Sequence, residues 1–236
     1  MSRSETYFAV IGDLVASRES ADRPRLQERL RAILGEVGPA LADRSLRAGP
    51  SISAGDSFQA LFDAPDAPGD SRGPAGAGVV ELLREVSERL EPDPVAFGLG
   101  FGEVTTPVIG VPVHEVDGPC FHRARAALAV AKREDRWAFA LAHDPEGDAV
   151  VSWVSAVNAT LRAAGDQRRR WTERQREVVR ARRAGRLQKE VAEELDVSPS
   201  VVSEVLKAAR FDLVLELDAA AATLLDFVPR LTGRNP

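Results

Sequence analysis

Cysteine, histidine and long apolar runs are scarce in this chain of 236 residues, and each shortage excludes a class of protein. The single cysteine, Cys120, cannot form a disulfide within the chain, which favours a reducing compartment, so we expect a cytoplasmic protein. One cysteine and three histidines without ligand spacing argue against a zinc site or a Cys-His nucleophile. Apolar runs such as residues 7–11 and 219–225 are far shorter than the roughly 20 residues of a membrane span. We therefore expect no membrane partner.

Charge is distributed unevenly along the chain, although the overall composition is ordinary. Hydrophobic residues make up 44% and charged residues 28%, as in a globular protein that forms one large or two small domains. Residues 1–147 carry 16 basic and 23 acidic side chains, whereas residues 148–236 carry 15 basic and 13 acidic ones. The asymmetry predicts two domains, 1–147 and 148–236, with different partners.

The first of these regions alternates between the signatures of strands and helices. Apolar residues recur with a period of two in the strand segments and at spacings of three and four in the helical segments. The predicted elements, in chain order, are strand 7–11, helix 22–42, hairpin 51–62, loop 63–77, helix 78–90, strand 95–104, helix 121–131 and strand 137–141. A hairpin stands where a parallel sheet would need a crossover. We predict an α+β fold of the ferredoxin-like or palm type, followed by an all-α domain.

Two aspartates, Asp13 and Asp56, each follow a glycine at the end of a predicted strand. The first strand and the central hairpin are neighbours in a palm sheet, so both carboxylates would lie at one edge. Mg²⁺ prefers oxygen ligands and binds through one or two carboxylates together with substrate phosphates. Glu103 is a third candidate acid. The alternative is that Gly-Asp forms an ordinary turn and that Asp13 caps the following helix.

Four segments together resemble the SatD family of bacterial proteins, and the same segments resemble class III nucleotide cyclases and the diguanylate cyclase palm more distantly. They are residues 11–18 (IGDLVASR), 55–59 (GDSFQ), 98–103 (GLGFGE) and 117–125 (DGPCFHRAR). In the cyclases, the aspartates of the first strand and the hairpin bind two metal ions on a nucleoside triphosphate. The resemblance implies an Mg²⁺ site at Asp13 and Asp56. It also implies nucleotide contacts from the residues beside these aspartates and at the start of the third helix: Gly12, Gly55, His122, Arg123 and Arg125.

The sequence departs from the cyclase pattern at the positions that read the base and stabilise the transferring phosphate. A cyclase lysine three residues before the hairpin glycine is replaced by Ile52. The cyclase asparagine and arginine of the third helix correspond to His122 and Ala126. We therefore expect this region to bind a nucleotide without rapid turnover.

Residues 171–208 resemble the helix-turn-helix of sigma-factor region four and of LuxR-type regulators. Thr172 is placed to cap a helix that ends at Gly185, and Ser198-Pro199 begins a later helix after a short turn. Apolar residues from Leu187 to Leu195 recur at the spacing of a buried face, and we predict that Leu187 points inward. The predicted DNA-contacting residues are Arg168, Arg169, Arg170, Gln188, Ser200, Val201, Ser203, Glu204 and Lys207. A helix-turn-helix kept only for dimerisation is the alternative, which Glu204 favours because its carboxylate repels phosphate.

The palm-like region and the helix-turn-helix together favour a DNA-binding transcriptional regulator of the SatD type. Its partner would be duplex DNA, and its palm would sense a nucleotide or metal. We expect a homodimer, because residues 211–228 are apolar on more than one face and must pack on the palm or on another subunit. One alternative is an Mg²⁺-dependent nucleotidyl cyclase or transferase that uses Asp13 and Asp56. Another is a non-catalytic assembly protein.

Overall fold

A sheet of five strands forms the centre of the first region. The computed structural model describes residues 5–15, 22–64, 74–133, 140–142 and 148–232. Within these residues the strands are β1 (Thr6–Leu14), β2 (Leu46–Ala54), β3 (Ser57–Asp63), β4 (Val95–Glu103) and β5 (Ala140–Ala142). The spatial order is β2-β3-β1-β4-β5, and β1 to β4 are antiparallel while β5 runs parallel to β4. This order confirms the predicted α+β fold of the ferredoxin-like, palm type.

Helices cover both faces of the sheet. They are α1 (Arg23–Ala40), α2 (Ala75–Leu90), α3 (Pro119–Arg133), α4 (Asp148–Arg169), α5 (Glu173–Arg183), α6 (Gln188–Glu194), α7 (Pro199–Ala208) and α8 (Phe211–Thr232). Side chains alternate between the two faces of a strand. In β1, Phe8 and Val10 therefore face α1 and α2, whereas Ala9 and Ile11 face α3.

Local rules explain most of the element boundaries. Gly55, with a φ of +60°, forms the predicted turn between β2 and β3. α2 begins at Ala75 rather than at residue 78, because Ala75 is buried and Gly76 lies directly against α8. Most of the predicted loop 63–77 and most of the predicted strand 137–141 lie outside the described residues, the latter ending in β5.

Glycines in β4 allow α3 to approach the sheet closely. A Cβ atom at Gly98 would lie 2.1 Å from the carbonyl oxygen of Ala124. A Cβ atom at Gly100 would lie 2.1 Å from the carbonyl oxygen of Cys120. Both contacts are to helix backbone, which cannot rotate away as a side chain can. The glycines of β4 therefore fix the position of α3 along the strand.

The apolar C-terminal helix α8 packs on the palm of its own chain, which is one of the two arrangements expected from the sequence. Leu225 and Val228 of α8, together with Val157 and Leu161 of α4, belong to the same hydrophobic core as the palm. The indole nitrogen of Trp153 donates a hydrogen bond to the carbonyl oxygen of Leu224 at 2.8 Å. The palm core therefore continues across residue 147. In the part of the chain that is described, no helix has the length and apolar character to cross a membrane.

Helices α5, α6 and α7 form a three-helix unit around a second core. Trp171, Val179, Val191 and Val202 are among the residues buried there. The prediction that Leu187 points inward is wrong, because its side chain is 63% exposed. Leu187 is the residue before the first turn of α6, so its backbone leaves the helical path and the side chain turns to solvent.

Candidate functional sites

The two predicted aspartates occupy the same end of the sheet. Asp13 in β1 is the register partner of Ser57 in β3, and the next residue, Leu14, donates its amide to the carbonyl oxygen of Asp56 at 3.2 Å. The strand end and the hairpin turn therefore bring the backbones of Asp13 and Asp56 to neighbouring positions. This is the juxtaposition that the sequence predicts.

Each of these carboxylates lies beside a cation. Asp13 accepts a hydrogen bond from the Ser57 hydroxyl and forms an ion pair with Lys132, near the end of α3. Asp56 lies 3.7 Å from a guanidinium nitrogen of Arg23 at the start of α1. The side chains of both aspartates are well covered, at 13% and 16% exposure. Lys132 and Arg23 belong to helices on opposite faces of the sheet, so each carboxylate pairs with a different helix. Carboxylate oxygens are the ligands that a hard cation such as Mg²⁺ prefers, and such an ion would compete with Lys132 and Arg23 for them.

Sequence reasoning missed Lys132. α3 starts beside Gly102 and Gly118 and runs along β4, so its last turn reaches the sheet end that carries Asp13. The glycines at 98 and 100 were the available signal, because they fix which part of α3 lies over each part of β4.

The predicted nucleotide contacts on α3 lie away from the aspartates. Arg123 donates a hydrogen bond to the carbonyl oxygen of Phe101 at 2.7 Å, and Phe101 pairs with Phe8, five residues before Asp13. Five strand residues span roughly 17 Å. His122 and Arg125 both contact Asp117 near the start of α3. The structure therefore does not bring His122, Arg123 and Arg125 to the Asp13 end of the sheet.

Glu103, the predicted third acid, also lies at the other end of the sheet. Its register partner is Thr6, at the opposite end of β1 from Asp13. Across the described ranges, no group of three or more His, Cys, Asp or Glu side chains forms a metal cage. An Mg²⁺ ion at the Asp13 end of the sheet would therefore have Asp13 and Asp56 as its acidic side chains and would need further oxygens from a bound nucleotide or water.

Gly12 and Cys120 have structural explanations. A Cβ atom at Gly12 would lie 2.1 Å from the ring of Phe58, so the glycine is needed for packing within the sheet. Cys120 is completely buried, and burial raises the pKa of its thiol to about 12. A thiol that stays protonated at neutral pH is a poor nucleophile.

The outer face of α7 carries most of the predicted base-contacting residues. Ser198 caps the helix by accepting a hydrogen bond from the Val201 amide at 3.4 Å, and Pro199 follows at the first helical position. Val202 and Leu206 are buried against the rest of the three-helix unit. The residues left exposed include Ser200, Val201, Glu204 and Lys207, and Gln188 of α6 is exposed as well, whereas Ser203 is half-buried.

The three arginines before α5 differ in their surroundings. Arg170 is exposed, and Arg169 is exposed and forms an ion pair with Asp166. Arg168 is only 6% exposed and contacts Glu88 of α2 and Asp218 of α8. The prediction that Arg168 contacts DNA is therefore wrong for this arrangement, because its guanidinium is committed to two carboxylates inside the chain.

Arg168 belongs to a buried charge cluster that joins the three-helix unit to the palm. Arg183 of α5 also approaches both carboxylates, with its Nη1 atom 3.0 Å from Glu88 and its Nη2 atom 3.7 Å from Asp218. Burial lowers the pKa of Arg183 to about 10, which still leaves it charged at neutral pH. At the edge of the cluster, Arg176 pairs with Glu91 at 3.2 Å. Ion pairs of Arg168, Arg176 and Arg183 thus link α4 and α5 to α2 and the residue that follows it.

Several solved structures are distantly similar to this chain. The guanylyl cyclase Cya2 is 20% identical, with a TM-score of 0.36 over 53% of this chain and 70% of that one. A bacterial light-regulated adenylyl cyclase is 15% identical, with a TM-score of 0.41 over 59% of this chain and 76% of that one. The adenylyl cyclase CyaB from P. aeruginosa is 12% identical, with a TM-score of 0.41 over 60% and 79% of the respective chains.

Sequence comparison identifies the family of the chain. No curated protein sequence matches it. The sequence profile of the SatD family, however, matches residues 7–225, from β1 into α8. The match includes both the palm and the three-helix unit. The chain belongs to the SatD family.

Proposed function

We propose that this protein is a DNA-binding regulator whose α7 enters the major groove as the second helix of a helix-turn-helix. The observation that carries the proposal is the division of α7 into two faces. Val202 and Leu206 anchor one face in the three-helix core, and the other face presents Ser200, Glu204 and Lys207 to solvent. A capped, exposed helix held by two others is the arrangement that such motifs use to read bases. A homodimer, which would set two copies of α7 on two half-sites, is part of this proposal.

The exposed side chains of α7 suit base edges as well as phosphates. Lys207 can contact guanine or a phosphate, Ser200 can donate to or accept from a base edge, and Val201 can contact a thymine methyl group. Glu204 can accept from the amino group of cytosine or adenine, whereas guanine and thymine offer no donor in the major groove, so it would penalise those two bases at its position. The mixed chemistry supports sequence-selective binding rather than binding by charge alone.

We expect the full-length protein to bind fluorescent duplex DNA with an affinity that falls steeply with salt. Each phosphate contact contributes about 0.9 to the slope of log affinity against log salt. Three contacts would lower the affinity roughly 40-fold between 50 and 200 mM salt. Fluorescence anisotropy measures this slope. Arg170→Gln should reduce its magnitude by about 0.9, the contribution of one phosphate contact. No binding at 50 mM salt, or binding indifferent to salt, would contradict the proposal.

A second candidate function is binding of an Mg²⁺-nucleotide at the palm edge. It is favoured by the neighbouring backbones of Asp13 and Asp56 and by their covered carboxylates. Asp13 and Asp56 would hold the ion once their carboxylates turn towards it from Lys132 and Arg23, and Mg²⁺ would supply charge that neutralises the phosphates. Lys132, which pairs with Asp13, would then be released to contact a phosphate oxygen. Ile52, which packs against the palm core, supplies no hydrogen bond to a base.

Asp13→Asn and Asp56→Asn are each expected to abolish Mg²⁺-dependent ATP or GTP binding, measured by calorimetry. Each change removes one of the two anionic ligands while keeping the shape of the side chain. Asp43→Asn, at an exposed position on the connection from α1 to β2, is the matched control and should bind as the wild type does. We expect binding without rapid turnover. Steady cyclic-nucleotide production that both variants lose would favour the enzyme alternative, and unchanged binding in both would exclude this site.

A further inference from the structure

A concavity lies between the palm and the three-helix unit, away from both sites above. It is a cleft of about 690 Å³, within the size range of small-molecule sites. α2 forms one wall, and α5 and α6 form the other. Its charged lining consists of Glu81, Glu85, Glu88, Glu177, Glu194, Arg84, Arg89, Arg180, Arg183 and Arg186. Clefts between structural units are common places for ligands.

The glutamates of the cleft are already neutralised, in part by arginines from outside it. Arg44 pairs with Glu81, Arg168 with Glu88 and Arg174 with Glu177. Inside the cleft, Arg84 pairs with Glu85 and Arg186 with Glu194. Arg89 pairs with Glu36 and Arg183 with Glu88, so among the lining arginines of the described residues Arg180 is the one without a carboxylate partner.

Three arginines of the lining carry the case for an anion in the cleft. Arg180 is exposed, and within the described ranges it has no acidic partner. The Nε atom of Arg84 is buried without a hydrogen bond, and the guanidinium of Arg183, although 3.0 Å from Glu88 and 3.7 Å from Asp218, forms no well-aligned hydrogen bond with either. A buried donor without an acceptor is costly, and a charged one more so. An anion in the cleft would offset that cost.

The three side chains approach the cleft from opposite walls. Arg180 and Arg183 are three residues apart and so lie on one side of α5, while Arg84 belongs to α2. Exposed Arg180 is placed to contact an anion directly, and the covered guanidinium groups of Arg84 and Arg183, each beside a glutamate, line the same cleft. Guanidinium groups match the geometry of phosphate oxygens.

We propose that this cleft binds a small phosphate-bearing anion, such as a nucleotide or pyrophosphate, through Arg180 with support from Arg84 and Arg183. The site needs neither DNA nor Mg²⁺, so it goes beyond the proposed function. Because α2 is part of the palm and α5 part of the three-helix unit, the anion would touch both units. Its binding would stabilise the arrangement in which α5 lies against α2.

Calorimetry of the full-length protein in EDTA tests this proposal, with inorganic pyrophosphate and ATP as separate probes. We expect both to bind, and we expect Arg180→Gln and Arg84→Gln each to weaken binding at least tenfold. Arg31→Gln, an exposed change on α1 outside the cleft, should leave binding unchanged. Thermal melting of each variant establishes that it folds. If ATP binds and pyrophosphate does not, the cleft recognises the nucleoside as well as the phosphates.

Three results would overturn the cleft as an anion site. They are the absence of binding in EDTA, equal weakening by Arg31→Gln and Arg180→Gln, and binding that Arg180→Gln and Arg84→Gln leave intact. Binding that appears only with Mg²⁺ would belong to the Asp13 edge instead. None of these results depends on DNA binding by α7, so the two proposals can fail separately.

Discussion

Arg168→Ala is expected to lower the free energy of unfolding by about 3 kcal/mol, the scale found when one partner is removed from a buried ion pair. The substitution removes one of the two arginines that neutralise Glu88 and Asp218. The side chains of these acids are only 12% and 15% exposed, so water cannot replace the lost charge. Arg183 remains beside both carboxylates and keeps the loss from being larger. Chemical denaturation measures the change. Arg170→Ala, two residues along the chain and exposed, should change stability by less than about 0.5 kcal/mol.

Arg168→Lys separates charge from geometry in the same cluster. Lysine keeps the positive charge, but its single ammonium group cannot contact Glu88 and Asp218 from two sides as the planar guanidinium group of arginine does. An intermediate loss of stability is therefore expected. Equal, small effects of Arg168→Ala and Arg170→Ala would contradict the buried charge cluster of Arg168, Arg183, Glu88 and Asp218.

Gly100→Ala is expected to destabilise the palm by about 3 kcal/mol, at the upper end of the usual cost of overpacking. The added methyl group would lie 2.1 Å from the carbonyl oxygen of Cys120, so α3 must move away from β4. Gly35→Ala is the matched control, because no atom lies within 4 Å of the added methyl at this exposed position in α1. Alanine there should stabilise the helix by about 0.5–1 kcal/mol.

Thermal or chemical denaturation of the two glycine variants gives changes of opposite sign if this packing is correct. A Gly100→Ala protein as stable as the wild type would mean that α3 does not lie against β4 as described. The Lys132 contact with Asp13 depends on that same placement of α3.

Features set by a few neighbouring residues could be predicted from the sequence. The Gly55 turn between β2 and β3 and the Ser198-Pro199 start of α7 follow from local backbone preferences. The α+β fold class followed from the order of strand and helix signatures, since a hairpin excludes a parallel crossover at that point. The neighbouring backbone positions of Asp13 and Asp56 followed from the same hairpin, because β3 pairs with β1.

Features set by contacts between distant segments could not be predicted in this way. Arg168 belongs to a run of three arginines, and its burial depends on carboxylates 80 and 50 residues away in the sequence. The placement of Lys132 near Asp13 depends on where α3 lies along β4, and the same placement keeps Arg123 beside Phe101 and away from Asp13. The resemblance to cyclases supplied residue types for α3 but not this placement.

The most direct test of the central claim, that α7 binds DNA, is the anisotropy titration repeated with Lys207→Glu. The lysine is exposed on the outer face of α7, so charge reversal should preserve folding and lower affinity for duplex DNA at least tenfold at 50 mM salt. Arg31→Glu makes the same change in charge on α1, outside the three-helix unit, and should alter affinity much less. A loss of at least tenfold confined to Lys207→Glu is the predicted result. Equal affinities for the wild type and Lys207→Glu would contradict the assignment of α7 as the DNA-reading helix.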